Sequence, residues 1–86
     1  MDIEGGFLEN AEGKCVTIEE IKDFLDNDLG SHYYCTCEVV KRDNNYVLFR
    51  NSRDPVQTFE VFICYSYIKI IEYNNNIFHK IFVIDL

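Results

Sequence analysis

The spacing of apolar residues changes at Gly30, and this change limits what the 86-residue chain can fold into. Before Gly30, apolar side chains recur every three or four residues, which is the spacing of one face of an α-helix. These residues are Ile18, Ile21, Phe24, Leu25 and Leu29. After Gly30 the spacing becomes two, and β-branched and aromatic residues dominate, as they do in strands. The chain is therefore expected to combine one amphipathic helix with an antiparallel sheet.

Both ends of the predicted helix carry capping signals. Thr17 is placed to cap the first turn, and Glu20, three residues later, completes a capping box. Gly30 stands where a residue with a left-handed backbone commonly ends a helix. We predict a helix over residues 17–29, preceded by an N-terminal segment, residues 1–16, that can form a short hairpin around a polar turn.

Four segments within residues 32–86 have the composition of strands. They are Tyr33 to Arg42, Asn45 to Asn51, Thr58 to Tyr73 and Ile77 to Ile84. The third is long for one strand, so we expect a bend or bulge near Ser66. Short turns favour antiparallel pairing, and the asparagines at 74–76 tolerate the left-handed backbone of a tight turn. The predicted fold is α+β, a single small domain over residues 1–86 in which the helix packs on an antiparallel sheet of about four strands.

The segment from Thr58 to Tyr73 is apolar at both odd and even positions, although one helix covers only one face of a sheet. Either the sheet curls around its second face, or that face meets another protein. Tyrosines suit such an interface because a phenol combines a large contact area with a polar end. The candidate residues are Tyr33, Tyr65, Tyr67 and Tyr73. Alternatively, these are ordinary sheet tyrosines whose hydroxyls lie in water.

Negative charge is concentrated at one end of the chain. Residues 1–30 contain nine acidic side chains and two lysines, whereas residues 31–86 contain six acids and six bases, so the net charge of −7 belongs to the first part. On the predicted helix, Glu19, Asp23 and Asp26 form a row with charges ~4 to 6 Å apart. Three further acids lie near this row in the sequence: Glu12, Glu20 and Asp28.

Two interpretations of this acidic row stay open. A helix face that is merely solvated is the simpler one. The other is that the row occupies a groove lined by lysine and arginine, because its charge spacing is comparable to the ~3.4 Å per charge along one nucleic-acid strand. The segregation of acids favours the second interpretation, since solubility alone does not require it.

The sequence offers little for catalysis or for direct nucleic-acid binding. No glycine-rich phosphate-binding loop occurs, and a pI near 4.6 disfavours contact with a polyanion. A small metal-binding regulator using His32, Cys35 and Cys37 is a third hypothesis, but cysteines two residues apart in a strand fit small buried side chains better. We therefore predict no enzyme activity, no cofactor and no metal.

In its size, its acidity, its richness in Asn, Ile and Tyr, and its row of Glu19, Asp23 and Asp26, the chain resembles the small inhibitors that phages and mobile elements direct at host nucleases, the anti-CRISPR proteins among them. The resemblance implies a non-catalytic nucleic-acid mimic that binds a basic DNA- or RNA-handling enzyme. The alternative is an interaction or assembly module that forms a homodimer or docks through its apolar, tyrosine-rich sheet.

The sequence also predicts where the protein acts. Residues 1–4 lack the features of a secretion signal, and no apolar stretch approaches the ~18 residues of a membrane span. We therefore expect a cytoplasmic protein with no membrane partner, located in the host cytoplasm if a phage or virus encodes it.

Overall fold

A computed structural model of the chain describes residues 6–27 and 37–86, and this part of the chain is mostly sheet. An N-terminal hairpin consists of β1 (Phe7–Glu9) and β2 (Cys15–Thr17), and the helix α1 spans Ile18–Asn27. The five strands that follow are β3 (Cys37–Asp43), β4 (Tyr46–Asn51), β5 (Gln57–Ile63), β6 (Tyr67–Asn74) and β7 (Ile77–Asp85). The predicted mixture of helix and antiparallel strands and the predicted hairpin are confirmed.

Strands β3 to β7 form one antiparallel sheet in which each strand pairs with the next along the chain. Strand β3 lies at one edge and β7 at the other. The turn between β6 and β7 consists of Asn75 and Asn76, whose φ angles are 54° and 65°. Two consecutive left-handed residues match the right-handed twist of the strands on either side, so the predicted asparagine turn is confirmed.

The prediction of one long strand from Thr58 to Tyr73 is wrong, and the sheet consequently has five strands rather than about four. The chain turns at residues 64–66, so β5 and β6 form a hairpin. The Cys64 N–H closes this turn by donating to the Tyr67 carbonyl at 2.8 Å. The irregularity expected near Ser66 is therefore at the right place, but it is a turn that reverses the chain rather than a bend or bulge. The turn contains no glycine, proline or asparagine, and Ser66 is its one turn-forming residue.

This turn explains why the segment is apolar at both odd and even positions. In β5 the odd-numbered residues Phe59, Val61 and Ile63 are buried, whereas in β6 the buried residues are the even-numbered Ile68 and Ile70. Because the chain reverses between the two strands, odd-numbered residues face the core in β5 and even-numbered residues face it in β6. The apparent two-sided strand is therefore two strands that bury the same face of the sheet.

The hairpin and α1 cover that face. Residues Ile18, Ile21 and Leu25 of α1 are buried, as are Leu8 and Val16 of the hairpin. Partly buried aromatic and aliphatic side chains complete the core on the side of β7: Phe24, Phe82 and Ile84. We call this the core face of the sheet and the opposite side the open face.

The helix start is confirmed, with one difference from a standard capping box. The Glu20 N–H donates to the Thr17 hydroxyl at 3.0 Å, as expected of a cap, but the Glu20 carboxylate accepts from that same hydroxyl. Thr17 is the last residue of β2 and pairs with Phe7, so its backbone belongs to the hairpin. The predicted last residues of the helix, 28 and 29, and Gly30 lie outside the described residues.

Asn10 joins the hairpin to the sheet. Its side chain is buried, and its Oδ1 accepts from the backbone N–H groups of Glu12 and Lys14 at 2.9 and 3.0 Å. Its Nδ2 donates to the carbonyls of Cys64 and Tyr65 at 2.9 and 3.0 Å. One amide therefore orders the β1–β2 turn and holds it against the β5–β6 turn.

We expect Asn10→Ala to lower the free energy of unfolding by about 2–4 kcal/mol, because it removes four hydrogen bonds made by a buried amide and leaves backbone groups of two turns without these partners. Urea denaturation measures this loss. The control is Asn74→Ala, since Asn74 is exposed at the end of β6, and its expected effect is within about 0.5 kcal/mol. Equal losses in the two variants would contradict this role of Asn10.

Candidate functional site

Three carboxylates lie along the side of α1 that faces away from the core. Glu19, Asp23 and Asp26 fall within an arc of about 60° on a helix of 3.6 residues per turn, opposite Ile21 and Leu25. The side chains of Glu19 and Asp23 are exposed. We call these three residues the acidic helix face.

Arg42 of β3 and Arg50 of β4 contact groups that are not part of the acidic helix face. Arg50 pairs with Glu38 on the open face, with Nη2 and Nε at 2.8 and 2.9 Å from the same carboxylate oxygen. Arg42 donates to the carbonyl of Phe7 at 2.8 Å. Within residues 6–27 and 37–86, neither Glu19 nor Asp23 forms an ion pair. Their charge is therefore available to a partner.

Asp26 differs from the expectation that the whole row is exposed. Its side chain is half-buried, and its Oδ1 is shielded from water with no hydrogen-bond partner in the described part of the chain. Burial raises the pKa of Asp26; Lys22 opposes this shift and the nearby charge of Asp23 adds to it. Partial burial therefore distinguishes Asp26 from the exposed Glu19 and Asp23.

The other three acids predicted for this surface are not part of one row. Glu20 is exposed and bonded to Thr17 at the helix start. Glu12 is exposed in the β1–β2 turn, and the three residues of β2 alone separate it from the helix by ~10 Å. Asp28 lies outside the described residues. The geometry thus supports a surface centred on Glu19 and Asp23, with Glu12 as a separate charge.

The tyrosines predicted as a second interface do not form one cluster. Tyr65 is 68% exposed in the β5–β6 turn, and Tyr67 is 36% exposed at the start of β6. Tyr73 is six residues further along β6, or ~20 Å away. Its hydroxyl has a partner within the sheet, because it donates to the Glu60 carboxylate at 2.7 Å. Tyr33 lies outside the described residues.

The open face carries its own polar and aromatic contacts. Glu60 accepts from Tyr46 at 2.8 Å through its second oxygen, so two phenols share one carboxylate. Burial, together with this bond to Glu60, raises the pKa of Tyr46 to about 12, and the bond raises the pKa of Tyr73 as well. The Phe62 ring lies 5.0 Å from the Tyr46 ring and 4.9 Å from the Lys69 ammonium. The sequence pattern does not predict this network, since its contacts join residues 7 to 16 positions apart on three different strands.

Of the residues considered for metal binding, His32 and Cys35 lie outside the described residues. Cys37 is buried in β3, as expected for a small core side chain, while Cys64 is half-buried and Cys15 is exposed. Residues 6–27 and 37–86 contain no group of three His, Cys, Asp or Glu side chains arranged to hold a metal ion. In the same ranges, no helix has both the length and the apolar character needed to cross a membrane.

Comparison of the chain with protein-family models, with curated proteins and with solved structures gave no match.

We expect Asp26→Asn to stabilise the protein at neutral pH by less than about 1 kcal/mol, because it removes a partly desolvated charge. The pKa of Asp26 is raised on folding, so its favourable contribution is present in acid and is lost as pH rises through the folded-state pKa. Thermal unfolding from pH 3 to 7 should therefore show a smaller loss of stability with rising pH in the variant. Asp54→Asn, which removes an exposed charge from the β4–β5 loop, is the control.

We expect Tyr46→Phe to destabilise the protein at neutral pH by about 0.5–1.5 kcal/mol, through loss of the bond to Glu60. The raised pKa of Tyr46 means that its stabilising effect is complete below pH ~10 and is lost as pH rises through about 12. Denaturation between pH 9 and 12 should show a steeper loss in the wild type than in Tyr46→Phe. In Tyr65→Phe, where the ring is exposed, the loss should match the wild type.

Proposed function

We propose that the protein is a non-catalytic inhibitor whose acidic helix face occupies the positively charged nucleic-acid groove of an enzyme that handles DNA or RNA. The exposure of Glu19 and Asp23, side by side on a helix anchored by its opposite face, is the observation that supports this best. A protein of this kind acts in the manner of the anti-CRISPR inhibitors it resembles. It binds a basic partner, and nucleic acid is not its ligand.

The helix backbone that carries Glu19 and Asp23 is held in place by the opposite side of α1, and this supports the proposal. The buried residues Ile18, Ile21 and Leu25 fix the rotation of α1 about its axis. Charges carried by a folded helix cost less conformational entropy on binding than charges on a disordered acidic tail, because the backbone is already ordered. Complementary charge also speeds the encounter with a basic groove.

The distribution of basic residues supports the same proposal. Arg50 is paired with Glu38 on the open face, and the Lys69 ammonium lies over the Phe62 ring, so two of the sheet's cations are engaged within the sheet. An acidic surface on the helix and a balanced sheet together give the molecule one strongly negative side. That side suits a partner that normally holds a polyanion.

Inhibition in this proposal is competitive occupation and needs no reaction. The carboxylates of Glu19 and Asp23 would meet lysine and arginine side chains that otherwise contact phosphates, and the bulk of the domain would block the groove. A host-encoded nuclease or other nucleic-acid enzyme in the cytoplasm is the proposed partner.

Affinity capture tests the proposal. The immobilised protein should retain nucleic-acid-handling proteins from a cell extract, and a short DNA or RNA duplex added to the wash should release them, because duplex and inhibitor compete for one groove. Proteins that remain bound in the presence of excess duplex would contradict groove occupation.

Substitutions of single carboxylates test whether Glu19 and Asp23 make the contact with the partner. We expect Asp23→Asn to weaken binding to a captured enzyme about two- to fivefold, and Glu19→Gln/Asp23→Asn to weaken it further, since each exposed charge pair contributes modestly. The control Asp54→Asn removes one exposed carboxylate from the β4–β5 loop and should leave the affinity unchanged. Titration calorimetry gives the dissociation constants. Equal effects of Asp23→Asn and Asp54→Asn would show that net charge, rather than the acidic helix face, determines binding.

A further inference from the structure

Strand β7 presents an apolar edge. It is nine residues long, and among the described residues its strand partner is β6 on one side. Ile81 and Val83 of β7 are 52% and 61% exposed, and Phe78 is 58% exposed. All three lie on the open face, because they pair with Ile71, Lys69 and Tyr73 of β6. Long apolar edges are uncommon in sheets because their unpaired backbone groups attract further strands.

The opposite edge of the sheet is protected. Strand β3 carries four charged residues among its seven, and its pairing with β4 is interrupted by a register shift between Val39 and Lys41. Charges and bulges of this kind discourage edge pairing. In β7 the stretch from Ile81 to Ile84 carries no charge, and its register shift lies near the start of the strand. The two edges therefore differ in what they can accept.

We propose that β7 pairs antiparallel with β7 of a second copy of this chain, with Phe82 at the centre, so that two sheets join into one of ten strands. A two-fold axis perpendicular to the sheet places each residue opposite one of the same parity, so both core faces lie on the same side. Ile81 then lies opposite the partner subunit's Val83 on the open face. On the core face, the two Phe82 side chains meet.

The core face supplies charge complementarity for this register. A groove of about 150 Å³ lies between α1 and the end of β7, lined by apolar side chains that include Phe24 and Ile84, with Glu20 as its charged lining residue. Lys80 lies on the core face because it pairs with Glu72, which in turn pairs with the buried Phe59. Centring on Phe82 sets the partner subunit's Lys80 opposite Ile84. This register places the ammonium of the partner subunit's Lys80 on the side of the groove that Glu20 lines.

Local charge also favours β7, over other parts of the surface, as the place where two copies of the chain meet. Strand β7 contains one lysine and one aspartate, so its formal charge is balanced, whereas contact between two acidic helix faces would be repulsive. Pairing through β7 leaves Glu19 and Asp23 of both copies exposed. The proposal is independent of the function proposed above, because it rests on the sheet edge and the groove beside it and does not involve Glu19 or Asp23.

Light scattering coupled to size-exclusion chromatography tests the dimer. The wild type should show twice the 10.2 kDa mass of the chain, and Val83→Lys should show a single-chain mass, since two lysines would face two apolar side chains at the interface. The matched control is Val40→Lys, which places the same exposed change on β3 at the other edge and should stay dimeric. A wild type that is monomeric across the concentration range, or a Val83→Lys variant that remains a dimer, overturns the proposal.

A charge exchange tests the register and does not depend on the folding of the Val83 variant. Lys80→Glu should raise the dimer dissociation constant about tenfold, because it sets two carboxylates together at both symmetric sites. Adding Glu20→Lys to it should restore most of the affinity, whereas Lys41→Glu on β3 should have no effect. Failure of Glu20→Lys to rescue Lys80→Glu overturns the register centred on Phe82.

Discussion

Burial of one face of the sheet beneath the hairpin and α1 is the constraint on which the candidate surfaces depend. Ile18, Ile21 and Leu25 commit one side of the helix to the core, so Glu19 and Asp23 must face away from it. A helix of ten residues cannot cover five strands completely, and the uncovered part lies towards β7. The same packing therefore produces a negative helix surface and leaves an apolar groove on the core face beside Ile84 of β7.

The elements that the sequence predicts correctly are those governed by residues close together in the chain. Thr17 and Glu20 mark the helix start within one turn, and Asn75 and Asn76 suit a two-residue turn because asparagine tolerates positive φ. Helical spacing between Ile18 and Leu25 is enough to orient the acidic side chains. The exposure of Glu19 and Asp23, two of the three residues of the acidic helix face, was therefore predictable.

The features that the sequence does not predict depend on contacts between distant residues. The β5–β6 turn is held by Asn10, more than fifty residues away, and the local sequence indicates an irregularity near Ser66 but not a reversal of the chain. Tyr73 has the composition of an interface residue, yet its hydroxyl binds Glu60 on a neighbouring strand. The partial burial of Asp26 is also a property of the packed molecule, since helical periodicity alone places it with the exposed acids.

Salt dependence tests the role of charge most directly. The dissociation constant of the complex with a captured nucleic-acid enzyme should be measured over a range of salt concentrations, for the wild type and for Glu19→Gln/Asp23→Asn. Binding driven by the acidic helix face predicts an affinity that falls steeply with salt in the wild type and less steeply in the variant, because exposed charges are screened. An affinity that is independent of salt, or identical salt dependence in both proteins, would contradict it.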